Sequence, residues 1–246
     1  LTGVFLGITA ADFGYLLSTM PASSSVYAAT GSAPSIACGR ISYVLGLHGP
    51  CVSYDTACSS ALTAYHSDLH SLQLNECSHG LAAGINLMLA PLSGTSFAIA
   101  GLTSMLGRSH TFDVRADGYA RAEACCSVAL RQAQDLRISP LLTAHGSAVR
   151  QDGRSAALTA PNGHAQQDLL VAALADADVA ADALTLTEAH GTGTALGDPI
   201  EASSLTVAVL SARDAPLAVG GVKANIGHAE PAAGTTGLLK LALGLQ

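Results

Sequence analysis

The stretch that decides the fold is Val52–His66, which reads VSYDTACSSALTAYH. A short strand-like run ends at Asp55, Cys58 follows, and a helix is predicted over Ser59–Leu74. A strand that turns directly into a helix is typical of layered α/β proteins. Cys58 is therefore predicted to lie at or just before a helix N-terminus, at the end of a strand, where α/β sheets form their clefts.

The predicted position of Cys58 suits a nucleophile. Backbone N–H groups and the positive end of the helix dipole favour a thiolate over a thiol at a helix N-terminus. The residues around it are small, which lets a substrate carbonyl approach: Ala57, Ser59, Ser60 and Ala61. A structural cysteine buried at a strand end explains the same pattern, so both interpretations stay open. The remaining cysteines lack this setting and are predicted to be structural: Cys38, Cys51, Cys77, Cys125 and Cys126.

The composition predicts a large buried core. The chain has 246 residues, of which 49% are hydrophobic and 12% are charged. This length and polarity fit one large α/β domain or two fused halves. The sequence begins at Leu1 directly before a strand-like run and stops at Gln246 inside a predicted helix. We therefore expect a piece of a longer polypeptide, truncated at both ends.

Charge and hydropathy argue against several classes of function. A net charge of −7 does not suit nucleic acid or an anionic membrane as the main partner, and only 4% of the residues are aromatic. No apolar run is long enough to span a membrane, and no secretory leader pattern opens the sequence. The 6 cysteines contain no C-x-x-C pair, which favours a reducing, cytoplasmic compartment over a disulfide scaffold.

The apolar runs alternate between two periods, which predicts packed helices and strands. The predicted strands are Val4–Ile8, Cys51–Tyr54, Gly80–Gly84, Ser127–Arg131, Leu142–Val149, Thr185–Ala189 and Leu217–Val222. The predicted helices are Ser59–Leu74, His164–Ala175, Pro199–Leu210 and Pro231–Leu245. Two of these helices start at a proline, and before Pro199 the preceding Asp198 is predicted as the N-cap, with Glu201 in the first turn.

Two histidines lie in glycine-rich loops that follow predicted strands. His190 opens the loop HGTGTALG, and His228 follows GGVKANIG. The glycines permit close approach of a ligand to the backbone, and Thr192 and Thr194 offer hydroxyl groups for a polar substrate arm. A single histidine in an apolar chain is usually a packing residue, but two at strand ends indicate a site.

Two other interpretations of the histidines, a nucleotide-binding loop at His190 and a metal site at His66 and His70, are weaker. The loop GTGTALG lacks the G-x-G-x-x-G spacing of a dinucleotide site, and no G-K-[ST] follows it. His66 and His70 lie four apart on one predicted helix, which is a spacing that can bind metal, but no third ligand accompanies them. We therefore predict neither a nucleotide cofactor nor a metal site.

Three motifs together carry a family resemblance. They are DTACSS at Asp55–Ser60, EAHGTGTALGDPIE at Glu188–Glu201 and KANIGHAEPAAG at Lys223–Gly234. In this order they resemble the β-ketoacyl synthase (ketosynthase) domain of type I modular polyketide synthases, and the likeness runs through the whole chain. The resemblance implies a thiolase-like α/β fold of two similar halves, layered α-β-α-β-α and paired into a homodimer. Residues 1–125 would form the nucleophile-bearing half and residues 126–246 the histidine-bearing half.

The resemblance also implies a reaction, the decarboxylative Claisen condensation. Cys58 would accept an acyl chain, and a malonyl-type extender on acyl carrier protein would lose CO2 and attack it. His190 and His228 would stabilise the negative charge on the extender thioester oxygen as neutral N–H donors. No cofactor would be bound, because phosphopantetheine arrives on the carrier protein.

Other residues of the motifs receive supporting roles from the same resemblance. Lys223 would support the His228 loop and pair with Glu230, although a purely structural ion pair is an equal alternative. Thr192 and Thr194 would bind the pantetheine arm, with loop capping as their alternative. Glutamine at position 58 would indicate a loading domain, so Cys58 favours chain elongation.

Several alternative functions stay open at this stage. They are a fatty-acid synthase condensing domain, a Cys–His acyltransferase or hydrolase, and a docking module for carrier protein. Neighbouring domains of a multidomain synthase are expected partners. The family's opening strands and its C-terminal glycine-rich loop fall outside this sequence, so we expect weak or no condensation by the isolated 246 residues.

Overall fold

The computed structural model describes residues 1–9, 11–21, 25–132 and 139–245. These residues divide into two compact units that alternate along the chain. The first unit comprises Leu1–Ala100, Arg121–Ser139 and Ala229–Thr236, and the second comprises Gly101–Ala120, Pro140–His228 and Gly237–Gln246.

Both units combine helices with strands. The strands are β1 Thr2–Ile8, β2 Cys51–Tyr54, β3 His79–Asn86, β4 Ala124–Arg131, β5 Leu186–Glu188 and β6 Ala218–Gly220. The helices are α1 Ala11–Thr19, α2 Ala28–Ser32, α3 Pro34–Leu45, α4 Ser60–Gln73, α5 Pro91–Ile99, α6 Gly163–Asp176, α7 Gly197–Ala208, α8 Lys223–Ile226 and α9 Ala233–Gly244. Within the described residues, no helix combines the length and the apolar character that crossing a membrane requires.

The first unit is built on a four-stranded sheet in the order β2-β1-β3-β4. β1, β2 and β3 are parallel, whereas β4 runs antiparallel to β3. The central strand β1 is almost wholly apolar, and its residues Val4, Phe5 and Leu6 are buried. Because parallel strands end at the same edge of a sheet, the loops after β1, β2 and β3 share that edge.

The second unit contains a parallel pair of short strands, β5 and β6. Glu188 at the end of β5 is in register with Gly220 at the end of β6. The segments that follow the two strands therefore begin at the same end of the pair. The first carries His190, and the second forms α8 before it reaches His228.

Most predicted elements are confirmed, and the predicted strand over Leu142–Val149 is wrong. β2 matches its prediction residue for residue, and α4 differs by one residue at each end. No strand forms over 142–149 among the described residues, and Leu142 and Val149 are exposed. An apolar run forms a strand only beside a hydrogen-bonding neighbour, which local sequence does not reveal. Several helices were not predicted from the sequence, among them α1, α3 and α5.

One carboxyl group is buried where α4 packs against β3. Asp68 is 0% exposed, and neither of its oxygens has a hydrogen-bond partner among the described residues. It faces Gly80 of β3, where any side chain would overlap the carboxyl group. Burial raises the pKa of Asp68 to about 7. Burial, and secondarily the charge of Asp68, also raises the pKa of Tyr65 and of Cys77.

We expect Asp68→Ala to stabilise the protein at alkaline pH. The pKa of Asp68 rises on folding from 3.8 to about 7, so the folded state binds more protons over that range and stability falls as the pH rises through it. Removing the carboxyl group should recover up to about 4 kcal/mol of unfolding free energy at pH 8 and little at pH 4. Urea unfolding of both proteins at the two pH values measures the difference.

The exposed Asp214→Ala is the matched control, because it makes the same change of charge on the surface. Its unfolding free energy should follow that of the unaltered protein at both pH values. Equal pH dependence in the unaltered protein and in Asp68→Ala would contradict the assignment.

Candidate active site residues

Cys58 lies in the tight turn between β2 and α4, as predicted. Ser59 is the N-cap residue of α4, so Cys58 immediately precedes the helix. Ala57, before it, has a φ of 53°, a conformation that is uncommon for a residue with a side chain. The Cys58 residue is partly exposed. A partly exposed cysteine on a sharp strand-to-helix turn is the arrangement that a nucleophile requires.

Serine hydroxyl groups fix the conformation of this turn. Ser59 Oγ donates to the carbonyl of Thr56 at 2.7 Å, and Ser60 Oγ donates to the carbonyl of Ala57 at 2.6 Å. Ser60 Oγ also accepts the N–H of Thr56 at 2.8 Å. The two serines of DTACSS therefore bind the backbone on the N-terminal side of Cys58, and they hold the strained residue Ala57 in place.

Glycines in the sheet let the start of α4 approach closely. A side chain at Gly7 of β1 would overlap the backbone of Ser60 and Ala61. A side chain at Gly84 of β3 would lie 2.7 Å from the Ala61 Cβ. The helix start is thus seated directly on the sheet near the carboxyl ends of the strands, which determines where Cys58 is presented.

In the second unit, His190 and His228 lie next to each other. Their ring centroids are 5.5 Å apart, and the ring planes are nearly perpendicular at 89°. The ring of Tyr119 lies edge-on to the His228 ring, with 4.8 Å between the ring centroids. The backbone N–H of His228 donates to the carbonyl of Ala120 at 2.7 Å. His228 is 3% exposed, whereas His190 keeps a solvent-accessible face.

Both imidazoles are neutral at physiological pH. Desolvation by the surrounding protein, with a contribution from Lys223, lowers the pKa of His190 to about 4. Desolvation, followed by the charges of His190 and Lys223, holds the pKa of His228 far below its usual range. Lys223 itself is 5% exposed. A neutral imidazole has one N–H donor, so the pair can offer two donors to a developing negative charge without carrying a proton to it.

Two carboxylates of α7 hold the backbone of the His190 loop. Glu201 accepts the N–H groups of His190 at 2.5 Å and of Gly191 at 2.7 Å. Asp198 accepts the N–H groups of Gly193 at 3.0 Å and of Thr194 at 3.3 Å. The carboxylates thus satisfy the loop's backbone donors and orient His190.

The prediction that Asp198 is the N-cap of its helix is therefore wrong. α7 begins at Gly197, and Leu196 is its N-cap residue. The same sequence pattern would serve a helix cap or a neighbouring loop, and here the loop's N–H groups take the carboxylate.

The side chains of Thr192 and Thr194 form hydrogen bonds with each other and within their own loop. Their Oγ atoms lie 3.2 Å apart, and Thr194 Oγ accepts the N–H of Gly197 at 3.2 Å. Thr192 is buried, at 8% exposed. These bonds are those of loop capping, and a role in pantetheine binding stays a prediction.

In the first unit, Glu230 forms a two-pronged ion pair with Arg121. Arg121 Nε and Nη2 donate to the carboxylate at 2.6 and 3.0 Å, and each side chain is 13% exposed. The Arg121 guanidinium also lies 5.2 Å from the ring centre of Phe97. This pair fixes Glu230, whose φ is 46°, at the start of the turn that leads into α9. The role of Arg121 was not predicted from the sequence, although an arginine flanked by alanines, as in GYARAEA, can indicate a buried charge. The pairing of Glu230 with Lys223 stays a prediction.

Comparison with known proteins identifies the family. The chain matches the N-terminal domain model of β-ketoacyl synthases over residues 1–135 and the C-terminal domain model over residues 141–246. The chain belongs to the β-ketoacyl synthase family.

The relatives of this β-ketoacyl synthase chain include polyketide synthases. It is 44% identical over 248 residues to a phenolphthiocerol/phthiocerol polyketide synthase of Mycobacterium tuberculosis, covering 100% of this chain and 16% of that protein. It is also 44% identical over 250 residues to an erythronolide synthase of Saccharopolyspora erythraea, covering 100% of this chain and 8% of that protein. The chain thus spans a small part of the length of these relatives.

A solved structure confirms the predicted thiolase-like ketosynthase fold. The ketosynthase from module 6 of the bacillaene synthase of Bacillus subtilis 168 matches with a TM-score of 0.91 and 34% identity. The match covers 98% of this chain and 42% of that one.

We expect Glu201→Gln to slow by about 10- to 100-fold any reaction step that depends on the position of His190, because a carboxamide accepts one of the two loop N–H groups and opposes the other with its own NH2. Acyl transfer to Cys58 should stay within about two-fold of normal if Glu201 acts only through His190. Separate assays of acylation and of condensation by the complete protein measure the two effects. Glu76→Gln, an exposed carboxylate of the first unit, is the control, and equal losses in both assays would argue for general unfolding.

Proposed function

We propose that this chain supplies the condensing residues of a polyketide synthase. In the first step the Cys58 sulfur attacks an acyl thioester, and the carrier thiol leaves. In the second step a malonyl-type thioester on acyl carrier protein loses CO2, and its enolate carbon attacks the Cys58 thioester carbonyl. A carbon–carbon bond forms, the Cys58 thiolate is released, and the lengthened β-keto chain stays on the carrier.

The observation that carries this proposal is the adjacent pair of neutral histidines, His190 and His228, whose ring centroids are 5.5 Å apart. Decarboxylation places negative charge on the extender thioester oxygen, and His190 and His228 each supply one N–H donor to it. Their low pKa values suit this role, because a protonated imidazole would quench the enolate carbon. A hydrolase would need one of them as a base that gains a proton near neutral pH, which these values do not favour.

The substrates and partners follow from the same chemistry. The extender arrives on the phosphopantetheine arm of acyl carrier protein, and we assign Thr192 and Thr194 to the binding of that arm and Lys223 to the support of the His228 loop. Neighbouring domains of a multidomain synthase, and a second copy of the complete domain, are the remaining proposed partners. We keep residues 1–125 and 126–246 as the proposed nucleophile-bearing and histidine-bearing halves. The 6 free thiols fit a cytoplasmic location.

Peptide-resolved mass spectrometry tests the first step. The protein is incubated with a simple acyl thioester near neutral pH and digested with trypsin and a protease that cleaves before aspartate. Cuts before Asp55 and Asp68 then separate Cys58 from Cys51 and from Cys77. The acyl group is expected on Cys58 alone. Acylation of the exposed Cys51 or Cys125 to the same extent would overturn the proposal.

A further inference from the structure

Two other cysteines lie on neighbouring elements of the first unit. Cys38 is on α3 and is 2% exposed, and Cys51 is the first residue of β2 and is exposed. The prediction that such cysteines serve as packing residues suits Cys38. It does not explain why an exposed thiol stands at the start of β2.

The strand register places both thiols on one face of the sheet. Cys51 pairs in register with Val4 of β1, and registered residues of parallel strands point to the same side. Val4 and Cys38 belong to one buried cluster, so α3 covers that side. Cys51 therefore points toward α3.

A direct contact supports this orientation. Ser42 lies one turn after Cys38 on α3, and its Oγ donates to the Cys51 sulfur at 3.3 Å. Cys38 also contributes to the raised pKa of the Cys51 thiol, as expected for side chains that lie close together. Cys51 thus faces the side of α3 that carries both Cys38 and Ser42.

We propose that Cys38 and Cys51 form a reversible disulfide that joins α3 to β2 when the protein is exposed to a peroxide. The exposed Cys51 sulfur attacks one peroxide oxygen, which gives a sulfenic acid and one water. The Cys38 sulfur then attacks the sulfenic sulfur, the S–S bond forms, and a second water leaves. Overall, two S–H bonds are lost and one hydrogen peroxide is reduced to two waters.

The rate of this reaction should rise with pH. Partial burial, with Cys38 as a further cause, raises the pKa of the Cys51 thiol, so the reactive thiolate is a minor species near neutral pH. The pair therefore stays reduced under mild conditions and responds to strong or prolonged oxidation. Because β2 leads directly into the Cys58 turn, the disulfide would restrict the movement of the strand that precedes Cys58.

Peptide mapping of the peroxide-treated protein tests the proposal. The protein is treated with hydrogen peroxide at about pH 8.5, its remaining thiols are alkylated, and it is digested without reductant. Arg40 lies between the two cysteines and Asp55 follows Cys51, so trypsin and the aspartate-directed protease leave Cys38 and Cys51 on separate peptides. We expect these two peptides to be joined in the oxidised protein and dithiothreitol to separate them.

Variants distinguish this pair from general oxidation. Cys51→Ser should abolish the linked peptide, whereas Cys125→Ser, which removes another exposed thiol, should retain it. Cys51 is exposed, so the serine variant is expected to fold, and the peptide map of the unaltered protein decides independently of it. Oxidation of Cys51 to a sulfinic acid, or a link from Cys51 to any other cysteine or to a second chain, would overturn the proposal.

Discussion

Cys58→Ala is expected to leave the protein folded and unable to accept an acyl group. The acyl chain forms its covalent bond with the Cys58 sulfur, and no other group in the turn can replace that bond. Condensation by the complete protein should fall by more than about a thousand-fold. The side chain is partly exposed and the change removes one sulfur, so the melting temperature should change little. Acyl transfer from a labelled thioester and a thermal scan measure the two quantities.

The matched control is Cys51→Ala, because it removes a thiol from the strand that leads to the same turn. That variant should accept an acyl group at the normal rate. Persistence of acyl transfer in Cys58→Ala would show that the nucleophile lies elsewhere, and the proposed condensation would fail with it.

The position of Cys58 could be predicted because its signals are local. A β-branched run, a polar turn and a helical pattern follow one another within Val52–His66, and each restricts the backbone by itself. The histidine loops were predicted for the same reason, since each follows a short apolar strand and contains glycines. The family resemblance added the chemistry, which periodicity does not encode.

The roles of Asp198, Glu201 and Arg121 depend on tertiary contacts and could not be predicted this way. A carboxylate in the first turn of a helix satisfies the helix cap in most sequences, but here Glu201 and Asp198 bind a loop that precedes the helix. Arg121 is separated from Glu230 by more than a hundred residues of sequence, so only the folded chain reveals the pair. The absent strand over 142–149 has the same origin, because strand pairing is not a local property.

The burial of Asp68 could not be predicted from the sequence either. A polar residue at one position of a helix is ordinary, so nothing around Asp68 in the sequence indicates that its carboxyl group is buried. The structure buries it against Gly80, where any side chain would overlap the carboxyl group. Burial of an ionisable group costs stability when, as for Asp68, it has no hydrogen-bond partner among the described residues, and this cost falls in α4, the helix that follows the Cys58 turn.

His190→Ala and His228→Ala are expected to separate acyl transfer from condensation. Each change removes one N–H donor to the extender oxygen, which costs about 10²- to 10³-fold in the decarboxylation step. Loading of Cys58 should stay within about ten-fold of normal, because that step needs no charge on the extender. Release of labelled CO2 from a malonyl thioester, measured beside acylation of Cys58, records the two steps separately.

The pH dependence gives an independent test of the neutral pair. The pKa of His190 is about 4 in the folded protein and near 6.5 when unfolded, so the unfolded chain binds the extra proton between these values. Stability should therefore fall as the pH drops from about 6.5 toward 4, and His190→Ala should reduce that fall. Above about pH 6 the condensation rate should not follow the ionisation of either histidine.

The exposed His145→Ala is the control for both measurements, because it removes an imidazole of the second unit that has no proposed role. Its rates should equal those of the unaltered protein. If His190→Ala or His228→Ala instead lost acyl transfer and condensation equally, that histidine would act as a base for Cys58. The oxyanion role would then be wrong for it, while the role of Cys58 as nucleophile would stand. The two steps together therefore distinguish a donor pair from a Cys–His dyad, which the order of motifs along the chain cannot do.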